Sequence, residues 1–212
     1  MDKLTPYSYS PQKRSKIDEI VEDNSKIKNL FRPLSVEKPL RQVKIVPYSV
    51  NWPDQFLQEK YQIEKILGDV ALDIEHIGST AIPNMSAKPV IDILISVKDI
   101  NSIDMFNQDF INLEYQVKGE FGIPRRRFFS KDTDGIRTHH IHIFEEGNQE
   151  LVKHINFRDY MRTHLIQANE YTDLKIMLAM KFPNDISGYC AGKENYIKAI
   201  DIEASKWKNE LK

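Results

Sequence analysis

Asp73-Ile74-Glu75-His76-Ile77-Gly78-Ser79-Thr80-Ala81-Ile82-Pro83, continued by Lys88-Pro89-Val90-Ile91-Asp92-Ile93-Leu94-Ile95-Ser96-Val97, is the stretch whose reading decides the fold. It reads as a strand, a small-residue turn, a proline-bounded excursion and a second strand. The second strand is an apolar run, the pattern of a strand covered on both faces. Asp92 is the one acid inside it. A carboxylate placed there needs a metal, an arginine or a histidine beside it, because burying it unpaired is costly. The turn Gly78-Ser79-Thr80 offers backbone N–H groups and hydroxyls of the kind that receive phosphate oxygens. Glu75 and His76 end the first strand and point to opposite faces, so one of them is expected on the face of Asp92. Lys88, between turn and second strand, is a candidate phosphate contact.

Outward from this centre, Gln42–Pro47 alternates like a strand, and Asp54–Leu67 carries a helical stripe with Pro53 before it and Gly68 after it. Asn101–Leu113 reads as a helix capped near Asn101 or Ser102, and Tyr115–Val117 as a short strand. Arg125-Arg126-Arg127-Phe128-Phe129-Ser130 and Thr138–Phe144 flank a Gly-containing turn, which predicts an antiparallel hairpin. The remainder is helical: Leu151 to about Glu170, Tyr171 to Phe182 carrying Leu174, Ile176, Met177 and Met180, and Asp185 to about Leu211. Strands first and helices later predict an α+β fold. Residues 1–39 are proline-interrupted and read as an N-terminal extension, partly helical or flexible, ahead of one domain over residues 40–212.

Three of the six histidines fall within His139–His142. On a strand His140 and His142 share a face, roughly 6.5–7 Å apart at the backbone, with His139 opposite. Two imidazoles on one face suit a metal or a phosphate group. By the same alternation Arg126 lies on one face of its strand and Arg125 and Arg127 on the other. Arginine forks in the paired strand suit phosphate. Lys193 in the last helix is a weaker candidate.

The 212 residues carry 30 basic and 31 acidic side chains, which argues against an extended nucleic-acid surface. One cysteine, Cys190, excludes an internal disulfide and is expected as a small apolar filler. With no apolar run near the roughly 20 residues of a membrane span and no signal-peptide pattern, the expectation is a cytoplasmic protein. Oligomeric state is not legible.

The motifs His76-Ile77-Gly78-Ser79-Thr80, Lys88-Pro89-Val90-Ile91-Asp92-Ile93, Gly119-Glu120-Phe121-Gly122-Ile123-Pro124, Arg126-Arg127-Phe128-Phe129, Arg137-Thr138-His139-His140-Ile141-His142, Phe157-Arg158-Asp159-Tyr160 and Tyr189…Lys193 occur in an order that resembles the GrpB family, from about Val43 to Ile202. The resemblance implies a nucleotidyltransferase-like fold, a mixed β-sheet flanked by helices. It implies that Gly78, Ser79 and Thr80, with Lys88, Arg126 and Arg127, hold the phosphates of a nucleoside triphosphate. It also implies that Asp92 orients a divalent metal (Mg²⁺, Mn²⁺ or Zn²⁺), with Glu75, His140 and His142 as further ligands and Asp92, His140 and His142 as the catalytic set. Where that superfamily has its second acid, this chain has Leu94. Two readings therefore stand: metal-dependent transfer of a nucleotidyl group from a nucleoside triphosphate to an acceptor, or a non-catalytic module binding a nucleotide or phosphorylated metabolite. A histidine-metal hydrolase fits the Gly-Ser turn less well.

Overall fold

A computed structural model describes residues 42–211; the expected extension over residues 1–39 lies outside them. Helix α1 (Trp52–Leu67) begins with a proline in its first turn and ends at Gly68, whose φ of 49° lets its N–H return to the carbonyl of Glu64. Its buried stripe, Trp52, Phe56, Ile63 and Leu67, lies against one face of the sheet. Strands β1 (Ala71–Ile77) and β2 (Ile91–Val97) follow, then β3 (Tyr115–Val117), β4 (Arg126–Thr133) and β5 (Ile136–Glu145). A short helix, α2 (Asn107–Asn112), precedes β3. Three helices close the described chain: α3 (Gln149–Thr163), α4 (Leu165–Lys181) and α5 (Ile186–Glu210).

The five strands form one mixed sheet in the order β1-β2-β5-β4-β3. β1 pairs with β2 antiparallel, β2 with β5 parallel, and β4 with both β5 and β3 antiparallel. The expected hairpin is β4–β5, turned by Asp134 and Gly135, both at positive φ as a two-residue type I′ connection requires. Alternation sorts β2 in two. Ile91, Ile93, Ile95 and Val97 join Ile141, Ile143, Phe129 and α1 in the main core. Asp92 and Leu94 look the other way, where Leu94 packs with Ile77, Phe144 and Leu151. The C-terminal helices share a second core of Tyr160, Met161, Ala168, Tyr171, Ile200 and Ala204, closed by Ile82 and Met85 from the β1–β2 connection. This is the α+β architecture with a helical C-terminal part that the sequence predicts.

Several expectations need correction. Gln42–Pro47 makes only a bridge, Val46 to Ala87, because Val43 gives its N–H to Pro183 and Pro47 has none to give. Ile100–Phe106 is a 3₁₀ helix before α2 and is capped by Asp99, which accepts the N–H of Asn101 at 2.9 Å. The break after α3 comes at His164, six residues earlier than predicted; its ring stacks on Tyr160 at 3.7 Å. In α4 the inward stripe is Ala168, Tyr171, Lys175 and Leu178, while Met177 and Met180 are exposed. Cys190 is exposed rather than a core filler. Among the described residues no helix is long and apolar enough to cross a membrane.

Candidate functional site

The site lies on the sheet face opposite α1, and its parts succeed one another across the strands. Gly78 and Ser79 leave the end of β1, Asp92 begins β2, His140 and His142 lie on β5, and Arg126 and Phe128 on β4. Parallel pairing sets Asp92 directly beside His140. Gly78 is fixed by this crowding. Its φ is 71°, and a Cβ there would sit 2.5 Å from Oδ2 of Asp92.

Asp92, His140 and His142 each offer one ligand atom, and these atoms lie within 4.8 Å of one another. Arg137, held by Asp132, reaches Nε2 of His140 at 3.0 Å. A guanidinium only donates, so Nε2 accepts there; Nδ1 then carries the proton and donates to Oδ1 of Asp92 at 2.8 Å. Nε2 of His142 stands 4.0 Å from the same carboxylate oxygen. Burial alone would raise the pKa of Asp92, but the hydrogen bond from His140 and the fields of His140, His142 and Lys88 bring it down to about 2. Burial pushes His142 down to about 3, helped by His154, so its imidazole is neutral at pH 7. An ionised carboxylate beside a neutral imidazole is a donor set that fits a divalent cation.

Next to Asp92 is a pocket of about 190 Å³, lined among others by Ser79, Lys88, His140, Lys175, Tyr189 and Lys193. Lys175 projects into it from α4 and is 2% exposed. Its ammonium donates to Oγ of Ser79 at 3.1 Å and to the carbonyl of Ser86 at 2.6 Å, leaving a third N–H for a ligand. Burial, reinforced by Lys193, lowers its pKa to about 7. Burial lowers Lys193 as well, and Lys88 adds to that shift. Lys193 and Lys88 stand 4.5 and 5.6 Å from the ring centroid of Tyr189. Three lysines meet one carboxylate here, and a bound anion would favour the charged form of each.

The sequence-derived candidates therefore divide. Gly78, Ser79, Lys88, Asp92, His140 and His142 come together. Thr80 lines the pocket, but its hydroxyl donates to the carbonyl of Val90 and accepts from His76, so it braces the turn. Glu75 shares the face of Asp92 but stands outside the Asp92–His140–His142 cluster, because Arg158 of α3 takes its carboxylate in an ion pair. His76 points the other way and stacks on Phe56 at 4.8 Å. Arg126 faces the site, with Nη1 3.5 Å from Nδ1 of His142. Arg127 does not: alternation puts it on the far face, where Asp104 holds it at 2.6 and 2.8 Å. His139 likewise turns away, toward Glu59. Sequence reasoning missed Lys175, Arg137 and His154. His154 carries no signal in the sequence beyond its helical position, and neither does Lys175.

A family model described as GrpB protein matches residues 42–203. The UPF0157 protein YqkA of Bacillus subtilis is 42% identical over 170 residues, covering 80% of this chain and 49% of that protein. This chain thus spans about half the length of that relative. The glutamate-rich protein GrpB of Alkalihalophilus pseudofirmus is 35% identical, over 75% of this chain and 94% of that one. The crystal structure of GrpB from Enterococcus faecalis superposes with a TM-score of 0.75 at 37% identity, covering 78% of this chain and 99% of that chain. With the family model spanning most of its length, the chain belongs to the GrpB family.

Proposed function

We propose that this protein binds a nucleoside triphosphate and transfers its nucleotidyl group to an acceptor in a metal-dependent reaction. The observation that carries the reading is the adjacency of two sets: Lys88, Lys175, Lys193 and Ser79 around one pocket, and Asp92 with His142 and His140 at its edge. Lysines and a serine turn suit the β- and γ-phosphates. Asp92 and His142 would hold a divalent cation, which supplies charge neutralisation at the transferred phosphorus. An imidazole ligand favours Mn²⁺ or Zn²⁺ over Mg²⁺. His140 is fitted to act as base. Its Nδ1 is tied to Asp92, and its accepting Nε2 opens to a hydroxyl that takes the place of Arg137. The acceptor oxygen bonds to the α-phosphorus as the bond from that phosphorus to the bridging oxygen breaks. Pyrophosphate leaves on the lysine side, and the hydroxyl proton passes to His140.

One observation favours the alternative of a non-catalytic binding module on the same fold. The second-acid position is Leu94, 1% exposed and packed among Ile77, Phe144 and Leu151, so the cation would have one carboxylate only. A thermal-shift series separates the two. The four ribonucleoside triphosphates and their diphosphates are titrated with and without Mg²⁺, Mn²⁺ and Zn²⁺. The transferase reading expects saturable, metal-dependent stabilisation by a triphosphate that Asp92→Asn removes. Stabilisation that ignores both metal and Asp92→Asn favours the module. No shift with any ligand rejects the phosphate pocket.

A further inference from the structure

The segment between β3 and β4, residues 118–125, contributes no residue to the lysine pocket or to the Asp92–His140–His142 cluster, yet it is closely held. Gly119, Phe121, Gly122 and Arg125 have φ values of 59°, 44°, 83° and 60°. A left-handed phenylalanine is uncommon, and such backbone persists only where its surroundings fix it. Arg126 does the fixing. Its Nη2 donates to the carbonyl of Phe121 at 2.7 Å and its Nε to that of Glu120 at 3.2 Å. The Glu120 carboxylate in turn accepts the N–H of Arg125 at 2.6 Å. The same guanidinium lies 4.7 Å from the ring centroid of Phe128 and reaches toward His142.

What this loop displays is a phenyl ring. Phe121 is 63% exposed. It stacks on Phe128 with centroids 5.1 Å apart and planes within 10°. Phe128 in turn lies 5.2 Å from the ring of His140 and 5.1 Å from that of His142. An aromatic ladder therefore runs from solvent to the histidine pair. It approaches them from β4, whereas the lysine pocket lies on the side of the β1 turn and β2. In an in-line displacement the attacking and leaving oxygens stand on opposite sides of the phosphorus. If pyrophosphate leaves toward the lysines, the acceptor enters from the side of Phe121 and Phe128.

We propose that Phe121 and Phe128 form the acceptor subsite, and that the acceptor is a hydroxyl-bearing molecule with a planar heteroaromatic ring that stacks on Phe121 while its hydroxyl reaches His140. The proposal rests on the nucleotidyl-transfer reading for the direction of attack. The stacking surface itself does not depend on that reading.

The test uses the full chain, saturated with inorganic tripolyphosphate so that the lysine pocket is filled. Adenosine is the probe and ribose the control, followed by isothermal titration calorimetry. Saturable adenosine binding is expected, with none for ribose. Phe121→Ala is expected to weaken adenosine roughly tenfold or more, the range seen when a base loses an aromatic partner. Phe121→Trp is expected to preserve it. The thermal stabilisation by tripolyphosphate is expected to be equal in all three proteins, because the ring is exposed and remote from the lysines. Unchanged adenosine affinity in Phe121→Ala, or equal affinity for adenosine and ribose in the unaltered chain, overturns the subsite. If tripolyphosphate gives no stabilisation while adenosine binding still depends on Phe121, the phosphate-pocket reading falls and the stacking subsite stands.

Discussion

Lys175 holds an ammonium group in the protein interior with two hydrogen-bond acceptors and no carboxylate among them. Its folded pKa, about 7 against 10.5 for the free side chain, means that the unfolded chain binds a proton over that interval and the folded chain does not. Stability therefore rises with pH from about 7 to 10.5, and the charged form carries its full penalty below 7. Replacing Lys175 by Met removes the penalty and also two hydrogen bonds worth about 1 kcal/mol each. The variant is expected to be more stable than the parent at pH 6.5 by roughly 1–3 kcal/mol, a surplus that shrinks toward pH 10. Urea midpoints at the two pH values check the sign. The same variant should lose most of the stabilisation given by tripolyphosphate. A variant less stable at every pH would make Lys175 a structural donor only. Nothing in the sequence marks this lysine. It sits between Leu174 and Ile176 in a stretch apolar on nearly every side, where helical periodicity cannot choose which stripe turns inward. The histidine pair was legible, because alternation on a strand admits one parity only. Alternation also separated Arg126 from Arg127, but which of them shares the histidine face follows from the register of Phe128 opposite His142, and that is set by the hairpin turn.

At the scale of elements, β2 illustrates how one strand serves two faces. Its core side is four aliphatic residues, and its other side places Asp92 at the pocket and Leu94 one step deeper. The proposed metal-dependent transfer would gain a second carboxylate from an acid at position 94. The packing predicts failure. A carboxylate at Leu94 would be buried among Ile77, Phe144 and Leu151, between His142, which burial keeps neutral, and Glu75, which already takes Arg158, so Leu94→Asp is expected to cost about 3 kcal/mol or more and to add no metal affinity. Denaturant unfolding with and without Mn²⁺ would show it; a variant stabilised by the ion beyond the parent would refute the single-carboxylate reading. The strand and the hairpin were readable from their apolar runs and from the turn at Asp134-Gly135. The α3–α4 break was not, because the chain there holds neither Pro nor Gly. The helix stops at His164 through ring stacking on Tyr160 and a Thr163 hydroxyl that donates to the carbonyls of Asp159 and Tyr160. These are tertiary and local contacts that composition does not announce.

Across the whole molecule, buried imidazoles set the response to acid. His76 is lowered to about 4 and His142 to about 3, each chiefly by burial, and His139 and His154 shift the same way. In the unfolded chain all four titrate near 6.5, so as pH falls through 6.5 the unfolded state takes up protons that the folded state refuses. Stability then falls with pH, by up to about 1.4 kcal/mol per pH unit for each such proton. Asp92, ionised down to about 2 in the fold and to 3.8 outside it, adds a loss in the same direction below pH 4. Urea midpoints are accordingly expected to decline steeply between pH 6.5 and 4. His76 and His142 lie on opposite faces of the sheet, packed against different elements, so their contributions should add. His76→Gln should flatten the decline by about one proton's worth, and a tripolyphosphate titration of the same variant reads how far the bond from His76 to Thr80 braces the pocket turn. A midpoint that stays level from pH 7.5 to 5 would mean that these imidazoles become protonated without unfolding the chain, and that both faces of the sheet are wetter than their packing implies.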